Sequence, residues 1–186
     1  MMSEGAASTA RPLRYSAVDK WLHWLVAINL GALLIFGNGL ADLPDVEKAV
    51  EYGHHGWSAT TLLILVVIRL VWRLIHPAPE LSAELSAWQR TGARVIHRSL
   101  YVLIFAQIGL GIALASTVEQ PFVASLYQID YGALNLIADH WHRVLGVAHA
   151  TVYWLIVTCL AAHVLAAVKH AAVDRDSTLR RMLPGG

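Results

Sequence analysis

Four apolar segments, each long enough to cross a lipid bilayer, constrain this 186-residue chain more than any other feature. A hydrocarbon core about 30 Å thick takes about 20 apolar residues in a helix, because lipid offers no partner to an unpaired backbone amide. The first segment, WLHWLVAINLGALLIFGNGL, runs from Trp21 to Leu40. The second runs from about Gly53 to Ile75 and stops at His76-Pro77-Ala78-Pro79, where two prolines cannot continue a helix. The third covers about Ala93 to Ala115, and a fourth apolar run extends from about Trp141 to Val173. That last run exceeds one bilayer thickness, so it must tilt or protrude. The spans, about 21–40, 53–75, 93–115 and 141–171, predict an all-α membrane protein, a single four-transmembrane-helix bundle over residues 1–186. At 56% hydrophobic and 15% charged residues the chain lies outside the balance of a soluble domain.

The connections set the orientation. Met1 to about Lys20 is too long and too polar to precede a signal-peptide core, and reads as a retained tail. Asp42 to Glu51 is an acidic connection, and ELSAELSAWQR predicts a short polar helix on the membrane surface with Trp88 at headgroup level. The longest connection, Ser116 to Asp139, carries Phe122, Leu126, Tyr127, Ile129 and Tyr131, and part of it is expected to fold back over the bundle end. A net charge of +1 hides a strong asymmetry. Arg11, Arg14, Lys20, Arg73, Arg90, Arg94, Arg98, Lys169, Arg175, Arg180 and Arg181 fall on one side, whereas Lys48 and Arg143 fall on the other. Positively charged loops stay in the cytoplasm, so both termini are expected there. Membrane lipid is the expected surrounding, and no nucleic-acid partner is expected. The lone Cys159 excludes an internal disulfide, a Cys-x-x-Cys-His haem attachment and a four-thiolate iron–sulfur site.

Ten histidines carry the functional information. His23, His54, His55, His97, His142, His149, His163 and His170 lie within or at the edges of the spans, where ionisable side chains are costly and usually face the bundle interior or a functional site. Any one alone reads as readily as an interfacial or hydrogen-bonded core histidine. Together they form a pattern. On the fourth span His142, His149, His163 and His170 follow one another at 7, 14 and 7 residues, which keeps all four on one stripe of a helix. His149 and His163 are separated by about 21 Å of axial rise and fit inside one hydrocarbon core; His142 and His170 are about 42 Å apart and do not.

Depth then pairs the inner two. His23 starts the first span on the same side as His163, and His55 starts the second span on the same side as His149. His54 is one position, about 100°, from His55, so only one of them can enter the same site. Two separated pairs suit two bis-histidine haems rather than one four-ligand zinc site. Met1, Met2 and Met182 lie outside the spans, which removes methionine as an axial ligand. Arg69, 14 residues after His55, and Arg143 are candidate propionate partners; for Arg69 a snorkelling surface arginine is the alternative. His97 has no pair left and is a candidate propionate contact or interfacial residue, and His170 a candidate quinone or propionate contact. Gly31, Gly109, Gly111 and Gly146 either admit a flat macrocycle or ease helix packing.

The segments RYSAVDKWLHWLVA, HHGWSATTLLILVVIRLVWRLIHPAP, RVIHRSLYVLIFAQIGLGIALAS and CLAAHVLAAVKHAAVDRDSTLRRMLPG resemble, in order and over nearly the whole chain, bacterial cytochrome b561. That family shares a superfamily with the cytochrome b subunits of nickel–iron hydrogenases. The resemblance implies a multi-pass protein of the bacterial inner membrane holding two non-covalent b-type haems. It implies electron exchange with ubiquinone or another quinone and, for some members, oxidation of superoxide at the outer face. It places the axial ligands on His23, His55, His149 and His163. The family often has tryptophan directly before its histidine, as in Trp141-His142, yet its 14-residue ligand spacing selects His149 with His163. The expected function is electron transfer between an outer-side donor and the quinone pool. The alternatives are a membrane-anchor cytochrome subunit of a larger dehydrogenase or hydrogenase and, from another class, a non-redox transporter using histidines for a metal or proton path.

Overall fold

The computed structural model describes residues 14–77, 79, 85–118 and 123–183. Among them are four helices long and apolar enough to cross a membrane: α1 (Ala17–Phe36), α2 (Asp45–Ile75), α3 (Ala87–Ala115) and α4 (His142–Lys169). Sequence dictates their starts. Ser16 and Ser86 each form a capping box, with Asp19 and Gln89 respectively, so the first free amides of α1 and α3 are satisfied. α2 follows Pro44 and carries Asp45 and Glu47 in its first turn, where negative charge favours a helix N-terminus.

Two connections are therefore shorter than the sequence suggests. Most of the acidic stretch from Asp42 to Glu51 belongs to α2, because its charge pattern suits a helix end and needs no lipid; only a 3-10 turn, Leu40–Asp42, links it to α1. Similarly, Ala87 onward, with Trp88, continues without a break into α3 instead of forming a separate surface helix. The first residues of that expected helix, 80–84, lie outside the described ones, as do Phe122 and the tail before Arg14. α4 ends in a π-helical turn, His170–Asp174, after which Arg175 takes a left-handed conformation.

Up-down connectivity brings both described ends of the chain to one end of the bundle, here the terminal end. The opposite end carries a hairpin, β1 (Val123–Ala124) with β2 (Ile129–Asp130). α1 packs chiefly against α2, and α3 against α4. The core consists of Leu30, Leu62, Val66, Ile104, Ile108 and Ile156, one or two from each helix. Large apolar side chains also face outward: Ile28, Val102 and Leu165 are each about two-thirds exposed, as a lipid-facing surface requires. A few polar ties cross between helices. Ser58 donates to Asn29 (3.2 Å), Tyr153 Oη to the Leu34 carbonyl (3.1 Å) and Arg69 Nε to Tyr101 Oη (3.0 Å).

The hairpin folds back over the bundle, as the aromatic content of its connection leads one to expect. Ser125 N donates to the Gly53 carbonyl (3.2 Å), while Tyr127 and Tyr131 hydroxyls lie 3.0 and 2.8 Å from Thr61 and Thr60 Oγ1. Gly53 allows this close approach: a Cβ at this position would run into Ser125 Oγ and lie 3.3 Å from the Val123 carbonyl. At the terminal end the 3-10 turn Arg180–Met182 returns to α1, where Trp24 Nε1 donates to the Met182 carbonyl (2.9 Å).

Candidate functional site

The bundle brings the paired histidines together. At the terminal end, His23 of α1 faces His163 of α4 with ring centroids 6.3 Å apart. At the hairpin end, His55 of α2 faces His149 of α4 at 6.5 Å. Metal–imidazole bonds of about 2 Å on opposite sides of one ion separate two ring centroids by about 6 Å, so each gap fits a single metal centre. All four rings are half-buried. His149 and His163 lie on one stripe of α4, about 21 Å apart along the axis, and the apolar side chains of Leu30, Leu62, Val66 and Ile156 lie between the two levels.

Two glycines pack directly against the rings of the hairpin-end pair. A Cβ on Gly37 would lie 3.0 Å from His55 Cε1, and one on Gly111 would lie 3.2 Å from His149 Cε1. Both glycines admit the rings to positions that a side chain would deny them. Of the glycines noted in the sequence, Gly111 therefore has a specific contact, whereas Gly31, Gly109 and Gly146 have open space around the missing Cβ. Gln107 Nε2 lies 3.0 Å from His149 Nε2. His149 Nδ1 and Gln107 Oε1 are buried with no hydrogen-bond partner among the described residues, a condition that native interiors seldom leave uncompensated.

The competing histidines are accounted for differently. His54 is turned outward, with more than half of its side chain exposed, and pairs with Glu51 at 3.5 Å. His142 Nδ1 lies 2.8 Å from Thr117 Oγ1, at the exposed start of α4. His97 of α3 adjoins His163 with centroids 5.2 Å apart, closer than two rings on opposite faces of one iron would sit. It is a neighbour of the terminal-end pair, and Trp24 flanks the same pair at 5.4 Å from His23. Arg69 lies close enough to His23, His97 and His163 to act on all three electrostatically. Its Nε is taken by Tyr101, and its Nη1 is buried without a partner among the described residues. Arg143 is exposed. His170 binds its own carboxylates, with Nδ1 2.7 Å from Asp176 and 3.1 Å from Asp174.

Sequence reasoning missed Gln107, Gly37 and Trp24. A glutamine in the middle of an apolar span is a signal in itself, and Gln107 carried one. The contacts of Gly37 and Trp24 depend on segments distant in sequence coming together, which no local pattern encodes.

Helices, opposed histidine pairs and lipid-facing surface together define a membrane-embedded helical bundle of the kind that holds cofactors between facing helices. The sequence matches the family model of prokaryotic cytochrome b561 over residues 14–185. It is 32% identical to cytochrome b561 homolog 2 of Escherichia coli (strain K12), covering 94% of each chain, and 28% identical to homolog 1 of the same organism, covering 92% of this chain and 97% of the relative. A protein of Yersinia pestis named probable superoxide oxidase CybB is 23% identical over 92% of this chain and 96% of its own length. The chain belongs to the prokaryotic cytochrome b561 family. It is accordingly a multi-pass protein of the bacterial inner membrane with b-type haem as its cofactor and electron transport as its role.

Proposed function

We propose that the chain is a dihaem cytochrome that carries electrons through the membrane between a donor at the hairpin end and the quinone pool. The observation that carries this reading is the geometry of the histidines. Two opposed pairs, at 6.3 and 6.5 Å, stand at two depths on α4. His23 and His163 would hold one haem, and His55 and His149 the other. When bound, each haem would supply reversible one-electron chemistry.

The chain's own residues do the rest. α4 fixes one ligand of each pair on a single rigid element, so the relative placement of the two sites follows from helix geometry. The apolar residues between the levels keep water and stray protons from the electron path. Arg69 places a positive charge beside the terminal-end pair, which favours the reduced state of a centre there. The hairpin is tied to the first half of α2 through its bonds to Gly53, Thr60 and Thr61. The basic terminal end lies in the cytoplasm and the hairpin end faces the outer compartment.

Superoxide is the donor favoured by the resemblance to the probable superoxide oxidase of Yersinia pestis. Two superoxide anions give up one electron each and leave as dioxygen, and the two electrons with two protons convert one quinone to its quinol. The test is anaerobic. Dithionite-reduced purified protein is mixed with a soluble ubiquinone and followed by its visible absorption. Rapid reoxidation, lost in both His149→Ala and His163→Ala, is expected; slow reoxidation that is unaffected by either substitution would overturn the reading.

A further inference from the structure

At the terminal end a small cleft of about 20 Å³ lies among Tyr15, Asp19, Arg69, Trp72, Tyr101 and Met182. Arg69 and Trp72 sit three residues apart on α2, on one helix face. Each carries a buried N–H group without a partner among the described residues: Arg69 Nη1 and Trp72 Nε1. Two orphaned donors beside one cleft call for an acceptor with more than one oxygen.

Charge points the same way. Arg69 and Arg73 both line the cleft, and Asp19 is the acid among the lining residues. Asp19 is already committed, because its Oδ2 accepts from Ser16 N (3.1 Å) and Ser16 Oγ (2.7 Å) in the α1 capping box. The cleft thus offers positive charge and free donors together. Leu22, the residue before His23 on α1, lines the same cleft, which sets the cleft beside the His23–His163 pair. The chain covers the cleft itself. Met182 lines it, the Met182 carbonyl takes the Trp24 N–H, and the Arg181 guanidinium lies 5.7 Å from the centre of the Tyr15 ring. At the base of this C-terminal segment, Asp176 is tied to His170 and caps Thr178 N at 2.8 Å.

We propose that this cleft is a carboxylate site in which Arg69 and Trp72 together hold a propionate of the haem between His23 and His163, beneath a cover formed by the C-terminal turn. The proposal rests on the haem reading above. A carboxylate offers two oxygens to two donors, and a porphyrin carries its carboxylates at the edge of the ring, where the cleft lies. A lipid phosphate would share this chemistry, and the experiment separates the two.

The test is a redox titration, followed by visible absorption, of the haem-loaded protein in nanodiscs of phosphatidylcholine alone and of phosphatidylcholine with phosphatidylglycerol. Withdrawing a donor leaves the propionate charge less neutralised and disfavours the reduced haem. Trp72→Phe is expected to shift the reduction equilibrium of one haem several-fold toward the oxidised form. Arg69→Gln is expected to shift it tenfold or more, about 59 mV for one electron. The other haem should stay unchanged. The resonance Raman band of the propionate should move in Trp72→Phe in both lipids. If Trp72→Phe or Arg69→Gln sheds the haem, Arg69→Lys, which keeps the charge without the planar fork, is titrated instead and should show a smaller downward shift. Unchanged potentials and Raman bands in variants that retain both haems overturn the proposal. A shift confined to the phosphatidylglycerol nanodiscs overturns it in favour of a lipid phosphate. A preparation without haem would refute the cofactor reading itself, a separate result.

Discussion

Replacing Gly111 by alanine should weaken the hairpin-end haem while leaving the bundle intact. The added Cβ would stand 3.2 Å from His149 Cε1 and 3.7 Å from its Nδ1. Carbon atoms in contact prefer about 3.5–4.0 Å, so the imidazole must move by roughly 0.3–0.8 Å, whereas metal sites tolerate about 0.2 Å in their bonds. An overpacked site of this kind costs about 1–3 kcal/mol, equivalent to roughly 5- to 150-fold in haem affinity. Gly109 supplies the control. It lies two residues away on α3 with nothing within 4 Å of a Cβ, so Gly109→Ala shares the helix-propensity gain of about 1 kcal/mol without the steric clash. The assay is haem per chain by pyridine haemochrome after stepwise dilution of free haem, with thermal unfolding in detergent alongside. Gly109→Ala should keep both haems and unfold no earlier than the parent, and Gly111→Ala should lose one haem selectively. Equal haem retention and identical spectra in the two variants would refute the reasoning.

Three further outcomes follow. His55→Ala should remove one haem and His54→Ala none, because His54 faces outward against Glu51; haem counts on the two variants decide it. Likewise His142→Ala should retain both haems, since it is His149 whose ring faces His55, and loss of a haem there would move the hairpin-end ligand from His149 to His142. The C-terminal turn should loosen in acid. Burial pushes the Asp176 carboxyl up, but donation from the Thr178 side chain and backbone and from His170 outweighs it and holds the group below the usual carboxylate range. Its contribution is then complete above the unfolded carboxylate value of about 4 and lost as pH falls through the lower folded-state value. Hydrogen exchange over residues 176–183 should accelerate across that window in the parent, and Asp176→Asn should exchange faster already at neutral pH, with the acid dependence reduced.

Helix number and the histidine pairs were legible because both depend on simple rulers. Span length is set by bilayer thickness, and the 14 residues between His149 and His163 translate directly into depth on one helix face. The first turns of α2 were misread as a connection because Asp45 and Glu47 were weighed as loop charges, although Pro44 followed by two acids is also a helix-start pattern. The hairpin escaped as a strand pair because each strand has only two residues, too few to show any alternation. Longer-range features had no local signature at all. Trp24 meets the Met182 carbonyl across 158 residues of sequence, and His97 meets His163 only because α3 and α4 pack side by side. Depth matching left His97 without a pair and could not say which neighbour it touches.

The two opposed histidine pairs are the centre of the account, and counting the haem they hold tests it most directly. Haem and protein are quantified on the same purified sample, with low-temperature electron paramagnetic resonance of the oxidised form reporting the spin state. The account predicts two haem b per chain, both low-spin, falling to one when either His149 or His163 is replaced by alanine. A single haem in the parent protein, or a high-spin signal from an iron with an open position, would contradict it.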